Sequence, residues 1–509
     1  MPSPSRWTLA ATILGSGMTF IDGTVVNVAL PALQADLHAT ITDVQWVVEA
    51  YALFLGALIL VGGSMGDQFG RKRVFLLGVL SFTAASILCG LAASPHALIV
   101  GRALQGIGAA FLVPGSLAII SATFGDAERG RAIGTWSGFS AITAAIGPVS
   151  GGWLIEHVSW RAVFFLNVPL AAIVLVLSLR FMNESRDPSR TARIDWSGAI
   201  LAVLGLGGIV FGLLEWPPLG AGDPRVFGAL TVGVSSLLAL AVVERRARNP
   251  MLPLDLFRSR TFTLANVLTL LLYAALSVVL FLVPLNLIQV QHYAATKAGA
   301  ALLPFPLIMF ALSRWSGGLV ARVGGRLPLT VGPAVAALGL VLYARPGIGG
   351  SYWTSFFPAV VVLGFGMAVT VAPLTTTVMG AVDRQHAGVA SGVNNAVARI
   401  AGLLAIAVFG VLLARTFDGR VRPRLDRLAL SPPARTAIDR ELPKMAGVRL
   451  ETVSSIDPPQ RAAVRAAIDE AFVSAFRLVM AAAAILAIAS AAIGGALRNS
   501  SAPTSQIGP

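Results

Sequence analysis

Charge is what this chain has least of. Of its 509 residues only 12% are Asp, Glu, Lys or Arg, about half the roughly 25% of a soluble domain. Apolar residues make up 56%, and the mean hydropathy is +0.78. A soluble chain of this length would form two or more domains, and this one lacks the polar surface to cover them. Cysteine is nearly absent: Cys89 stands alone in an apolar run, which excludes a disulfide framework and a cysteine-based metal site. Histidine is sparse, and no nucleophile–base pair or metal cluster appears at membrane depth. The Gly spacing and Ser/Thr of a phosphate-cradling loop are missing too. These absences point away from an enzyme, an ATP-driven machine, or a protein needing a cofactor or metal.

What is present is a series of long apolar runs. A membrane helix needs about 20 mostly apolar residues. Expected spans are 7–33, 43–64, 74–93, 96–124, 132–155, 163–182, 196–216, 225–243, 261–288, 297–318, 326–344, 353–374, 387–414 and 473–497. The first is read as a retained helix, because Asp22 and Asn27 suit a cleaved signal segment poorly. A turn at Trp216-Pro217-Pro218 is expected between the seventh and eighth.

The net charge of +14 resembles a nucleic-acid signal, but its placement argues for a membrane instead. With the N-terminus in the cytoplasm, inward segments hold Arg6; Arg71, Lys72, Arg73; Arg129, Arg131; Arg180, Arg186, Arg190, Arg193; Arg245, Arg246, Arg248, Arg258, Arg260; Arg322, Arg326; Arg384; and Arg498, about nineteen in all. The short outward loops hold only Arg161, Arg225, Lys297 and Arg345. This positive-inside pattern predicts both termini in the cytoplasm. The exception is the basic outward segment 415–470, which is tolerated because long loops cross largely regardless of charge. There Asp457-Pro458-Pro459 reads as a helix start leading into the last span. A small, partly helical cap and a mobile solvated loop are both compatible with this segment.

The run from Gly63 to Arg73 is echoed 254 residues later by Gly317 to Leu327, with Gly seven residues before Gly and basic residues after it. A second echo pairs Gly130 and Gly134 with Gly388 and Gly392. Repeated halves with an extra pair of spans between them are a layout of many membrane carriers. The expected divisions are 1–182 (six-helix bundle), 183–260 (two linking spans), 261–414 (spans nine to thirteen), 415–470 (outward loop) and 471–509 (last span and tail).

At this point the motifs resemble the major facilitator superfamily, in its fourteen-span drug:proton antiporter branch. The first span carries Ile21-Asp22-Gly23-Thr24-Val25-Val26-Asn27-Val28-Ala29-Leu30-Pro31. Gly63 to Arg73 is similar to the loop between spans two and three, and Arg102-Ala103-Leu104-Gln105-Gly106-Ile107-Gly108 to the fourth-span arginine motif. Gly147-Pro148-Val149-Ser150-Gly151-Gly152 resembles the fifth-span antiporter motif. Trp160-Arg161, Phe165 to Pro169 and Gly388 to Asn395 complete the series. The resemblance implies an all-α membrane fold of two six-helix bundles with a pseudo-two-fold relation plus two linking helices. It further implies a monomer in the bacterial inner membrane that exports hydrophobic or amphipathic small molecules, such as drugs or antibiotics, against inward proton flow. Three departures stand out: Thr143 replaces the antiporter motif's first glycine, Ala321 replaces the acid of the second loop, and the C-terminal spans lack an acid at mid-depth. The last leans the cargo towards a neutral, zwitterionic or weakly charged molecule.

Ionisable groups inside a membrane cost at least about 2.5–3.5 kcal/mol each and default to function. Asp22 lies roughly 15 Å and Glu49 roughly 10 Å from the outer surface, with Arg102 at similar depth. Asp22 and Glu49 are read as a proton-titrating pair biased by Arg102, since burial and a guanidinium act oppositely on a carboxylate. The alternatives are a permanent Asp22–Arg102 ion pair and, for Glu49, a lipid-interface carboxylate. Gly147, Gly151 and Gly152 allow close helix approach and Pro148 a kink, for a leak-tight fifth helix or for plain packing. In the loop, Gly63, Asp67, Gly70, Arg71 and Arg73 read as a gate brace, with Gly66 and Gly70 making tight turns and Asp67 capping a helix. Asn394, Asn395 and Arg399, with Trp46 and Gln105, are substrate-cavity candidates; interhelical hydrogen bonding is the competing role for the amides. Tyr51 and the phenylalanines are placed in the lipid belt or the packing. The expected partners are a small-molecule substrate, protons and the bilayer. The rival functions are a proton-coupled metabolite or lipid carrier, and a membrane sensor or scaffold that has lost transport.

Overall fold

The computed structural model describes residues 3–186, 195–220, 222–247, 254–382, 387–428, 430–453 and 456–497. Arg190, Arg193, Arg248, Arg384 and Arg498 lie outside them. The long helices are α1 (Ser3–Asp36), α2 (Ile41–Phe69), α3 (Arg71–Gly90), α4 (Pro95–Thr123), α5 (Asp126–His157), α6 (Asn167–Phe181), α7 (Trp196–Leu219), α8 (Pro224–Arg246), α9 (Arg260–Leu285), α10 (Pro304–Gly317), α11 (Arg326–Tyr343), α12 (Phe357–Gly380), α13 (Ala387–Asp426) and α14 (Pro458–Gly495). Each expected span falls on one of them. Polar side chains set several starts by accepting from free amides of the first turn. Thr40 and Asp43 cap each other's amides at α2, at 3.1 and 2.8 Å, and Asp457 with Gln460 does the same at α14.

Thirteen of the described helices are long and apolar enough to cross a membrane. A fourteenth long helix, α5, carries the uncharged stretch 132–155 and packs along α1. Leu80, Leu88, Val176, Leu179, Leu238 and Ile485 are all exposed, an apolar outer surface suited to lipid rather than water. Inside, α2 and α3 pack on α4, α9 on α13 and α14, and α11 on α12 and α14. The α7–α8 pair sits beside these, with α7 against α2 and α13; α8 is largely exposed, with Phe227, Val234 and Leu238 on its outer face.

Two expected turns are corrected. The Gly63–Phe69 run is helical, forming the last turns of α2, and Gly66 makes no turn. Only Gly70, at φ +111°, breaks the chain before α3. Gly324, at φ +75°, does the same before α11, preserving the 254-residue offset of the sequence echo. Glycine carries this because a Cβ disfavours positive φ. Likewise α7 continues through Pro217 and Pro218, and the break falls at Gly220, φ +88°. Proline leaves the last turn's Gly220 N–H free to donate to Trp216 O at 2.8 Å.

Beyond the expected span, α13 runs on to Asp426. A short helix, Pro432–Glu441, and a tight turn, Leu442–Gly447, follow before α14. Leu442, Met445, Val448 and Leu450 are buried in the same apolar core as Leu30 and Leu33 of α1. This cap crosses one end of the bundle. Gln34 of α1 donates to Lys444 O at 3.1 Å and accepts from Gln289 Nε2 at 2.7 Å. Arg465 donates to the Ala446 and Val448 carbonyls.

Candidate functional site

The centre of the first half is a polar cluster sealed in an apolar bundle. Arg102 on α4 donates through Nη1 to Asp22 Oδ2 of α1 at 2.5 Å and to Gln105 Oε1 at 2.6 Å. Its Nε donates to Val47 O of α2 at 3.1 Å. Gln105 Nε2 donates to Asp22 Oδ1 at 2.8 Å and to Ser86 Oγ at 3.2 Å, and Asn167 Nδ2 reaches the same Ser86 at 3.0 Å. Asp22, Arg102, Gln105, Ser86 and Asn167 are all buried. The Tyr51 ring stacks on the guanidinium, 4.2 Å from its carbon to the ring centre, a cation–π contact. Five helices thus converge on one ion pair whose lone pairs and protons are largely satisfied, the condition under which a buried pair is tolerable.

Glu49 does not join this cluster. It is buried, and neither carboxylate oxygen has a hydrogen-bond partner among the described residues. The reason is its helix face. Neighbours three and four residues away share that face. Among them Trp46 donates to Glu215 of α7 at 3.0 Å, while Gln45 lies against Gly410 of α13 and Leu53 against Gly207 of α7. Glu49 therefore belongs to the seam of α2, α7 and α13.

Between the halves lies a cavity of about 260 Å³ lined by Asn27, Tyr51 and Arg102 on one side and Ser277, Phe281 and Arg399 on the other. A more apolar cavity of about 170 Å³ adjoins α1, α5 and α9 to α12, with Asn27, Pro148, Leu302, Phe305 and Tyr343 in its wall. Of the residues expected to line a cavity, Arg399 does. Trp46 points at α7, and Gln105 is locked in the ionic cluster. Asn394 donates to Asn266 Oδ1 at 3.1 Å and Thr269 Oγ1 at 2.7 Å, tying α13 to α9. Asn395 accepts from Arg399 Nε at 3.2 Å. Tyr51, expected in the lipid belt or the packing, is packed in the buried core of the first half and also borders the cavity.

The α5 glycines mark close approaches. A Cβ at Gly147 or Gly151 would collide with Thr24 or Val25 of α1, and one at Gly152 would lie 2.6 Å from Ala295 O in the second half. Beside them Glu156 accepts from Thr296 N at 2.7 Å and Oγ1 at 2.8 Å. Some burial opposes ionisation of this carboxylate, but the two Thr296 hydrogen bonds hold it below the usual glutamate range. These contacts join the two halves at the cap end.

At the opposite end, Arg71 pairs with Asp67 at 2.9 Å. The amides of Lys72 and Arg73, however, are taken by Glu184 at 3.0 and 3.2 Å. The carboxylate at the start of α3 is therefore Glu184, and the brace is anchored to the segment after α6. Lys72 Nζ adds a bond to Met182 O at 2.7 Å. Glu184, Ser86 and Ser277 carried no motif, and only three-dimensional packing reveals them; Asn27 lay in the first-span motif, but its place on the cavity wall did not show in the sequence.

The model of the Major Facilitator Superfamily matches residues 12–406. The chain belongs to that superfamily. It is a multi-pass membrane transporter, and several of its relatives are named for drug resistance and export. Multidrug resistance protein Stp of Mycobacterium tuberculosis is 35% identical to it, covering 84% of this chain and 79% of the relative. The tetracenomycin C resistance and export protein of Streptomyces glaucescens is 35% identical over 80% and 76%. Puromycin resistance protein pur8 of Streptomyces alboniger is 36% identical over 81% and 82%. In fold, this superfamily member is similar to a bacterial homologue of the human lysosomal transporter Spinster, in an inward-facing and unoccupied conformation. The TM-score is 0.66 at 17% identity, covering 97% and 98% of the two chains.

Proposed function

We propose that the chain is a proton-coupled exporter of hydrophobic or amphipathic small molecules, with drug-like antibiotics as its cargo, working by alternating access. The observation that carries this reading is the buried Asp22–Arg102 pair (2.5 Å) whose arginine also lines the inter-half cavity. A proton on Asp22 removes the charge that holds Arg102 between α1 and α4. Arg102 and Tyr51 are then released to the cavity side, and cargo and proton are linked through one side chain. Glu49 supplies a second link. Ionised and without a partner in an apolar seam it would be strongly disfavoured, so its charge state follows the opening of the α2–α13 boundary.

In the orientation given by the arginine placement, the cap end faces outward. The bridges at Gln34, Gln289, Glu156 and Thr296 then close the outer side, which supports an inward-facing arrangement. The test is proteoliposomes with a pH dye trapped inside, presented with puromycin, tetracenomycin C and methylenomycin A, compounds named by relatives. Cargo-dependent proton movement is expected in the wild type and absent in Asp22→Asn. Cargo moving with no accompanying protons would overturn the coupling.

A further inference from the structure

The two arginines of the central cavity are not equivalent. Arg102 is matched by Asp22 and anchored by Gln105 and Val47. Arg399 donates only through Nε, to Asn395 on its own helix. Among the described residues, none accepts from its Nη1 or Nη2, and no carboxylate lies within ion-pair distance. Its stem packs beside Gly56 of α2, where a Cβ would lie 3.7 Å away, and its side chain forms part of the cavity wall. The cavity's remaining polar groups are neutral (Asn27, Tyr51, Ser277) and no acid lines it. The rest of the wall is apolar, including Leu280, Phe281 and Ile406.

We infer that Arg399 is an anion-recognition group and that this cavity takes amphipathic organic anions, molecules with an apolar or aromatic body and one carboxylate, sulfonate or phenolate. A guanidinium inside a membrane is retained at a cost. Its planar fork of donors matches a carboxylate-like anion, pairing through two parallel bonds. Here the fork is held by Asn395, so its outer nitrogens are preset for a ligand. Tyr51 and Phe281 face the same space and suit a flat body. The volume, below the 300–1,000 Å³ of larger drug sites, favours a compact molecule. This inference rests on the export reading and narrows it. Sending an anion out while a proton comes in moves two charges down the membrane potential each cycle, so such cargo gains the full electrical drive.

The test is a matched pair of ligands, 8-anilinonaphthalene-1-sulfonate and N-phenyl-1-naphthylamine, which differ by the sulfonate alone. Equilibrium binding to the full chain in lipid nanodiscs is measured for wild type, Arg399→Ala and Arg399→Lys. The wild type is expected to prefer the sulfonate. Arg399→Ala should weaken it by about 10- to 100-fold, the loss for a charged hydrogen bond, with Arg399→Lys intermediate. The neutral ligand should stay within about twofold in all three proteins, which also reports that the variants fold. Equal sulfonate affinity in wild type and Arg399→Ala, or equal weakening of both ligands, overturns the inference. Short-chain phosphatidylglycerol is the competing arm: if it displaces the sulfonate in an Arg399-dependent way, a lipid headgroup is the natural anion, and otherwise it is a free organic acid. Arg399-dependent binding with no pH-driven movement of any compound would uphold this site while defeating the export reading.

Discussion

The two halves of this transporter treat buried polarity in opposite ways. In the first, Asp22, Arg102, Gln105, Ser86 and Asn167 form a closed network on α1, α3, α4 and α6. In the second, α9 and α13 are joined by neutral groups, Asn266, Thr269 and Asn394, and the charge this half brings to the cavity wall, Arg399, has no counter-ion among the described residues. A closed ionic network has two protonation states and a reason to rearrange when it switches. An open guanidinium has one charge state and a need for a partner. On the function proposed above, proton handling falls to the first half and cargo recognition to the second.

The sharpest way to break that comparison is to remove each arginine. Arg102→Ala strands Asp22 as an uncompensated buried charge and should cost about 3–5 kcal/mol in thermal unfolding of the detergent-solubilised protein. Arg399→Ala removes a charge that has no protein partner, so its melting temperature should be unchanged or higher. Equal losses would erase the distinction. Next comes the contact between the halves. Gly152→Leu forces a side chain onto Ala295 and should disfavour the closed cap end by about 1–3 kcal/mol, a roughly 5- to 150-fold shift in the balance of arrangements. A spin-label distance across Gln34 and Gln289 would read it, and an unchanged distance distribution would count against the seam as a gate.

A smaller effect is expected at the start of α3. Glu184→Ala removes the acceptor at α3 and should cost about 1 kcal/mol, again read by thermal unfolding. An unchanged melting temperature would show that this carboxylate is not the cap. Smallest is Asn394→Ala, which cuts the neutral α9–α13 link. Interhelical hydrogen bonds in membranes average about 0.6 kcal/mol, so the shift should be a small fraction of that in Arg102→Ala.

Most of the helical layout was legible in the sequence, because apolar runs of span length and the bias of arginines are strong local signals. Gly70 and Gly324 were visible as an echo, since each must sit where a Cβ is penalised. Helix ends were less legible. The tails of α2 and α13 are polar, and prolines in α7 read as a break where a glycine two residues later supplies it. The Asp22–Arg102 meeting could be approached through depth alone. Glu49 could not: its depth put it in the same outer half as Asp22 and Arg102, but its azimuth on α2 points to α7 and α13, and depth says nothing of azimuth. The same gap put Trp46 on the cavity and left Tyr51 undivided between lipid belt and packing. Glu184 lay in a connection with no motif, and its role exists only because α6 returns the chain beside Gly70.

The division of labour is tested most directly by comparing two transport modes of Asp22→Asn in proteoliposomes, with radiolabelled 8-anilinonaphthalene-1-sulfonate as cargo. The account predicts that exchange of labelled for unlabelled cargo across the membrane persists, since Arg399 and the cavity are intact, while accumulation driven by a pH gradient falls to background. Accumulation at the wild-type level in Asp22→Asn would contradict it.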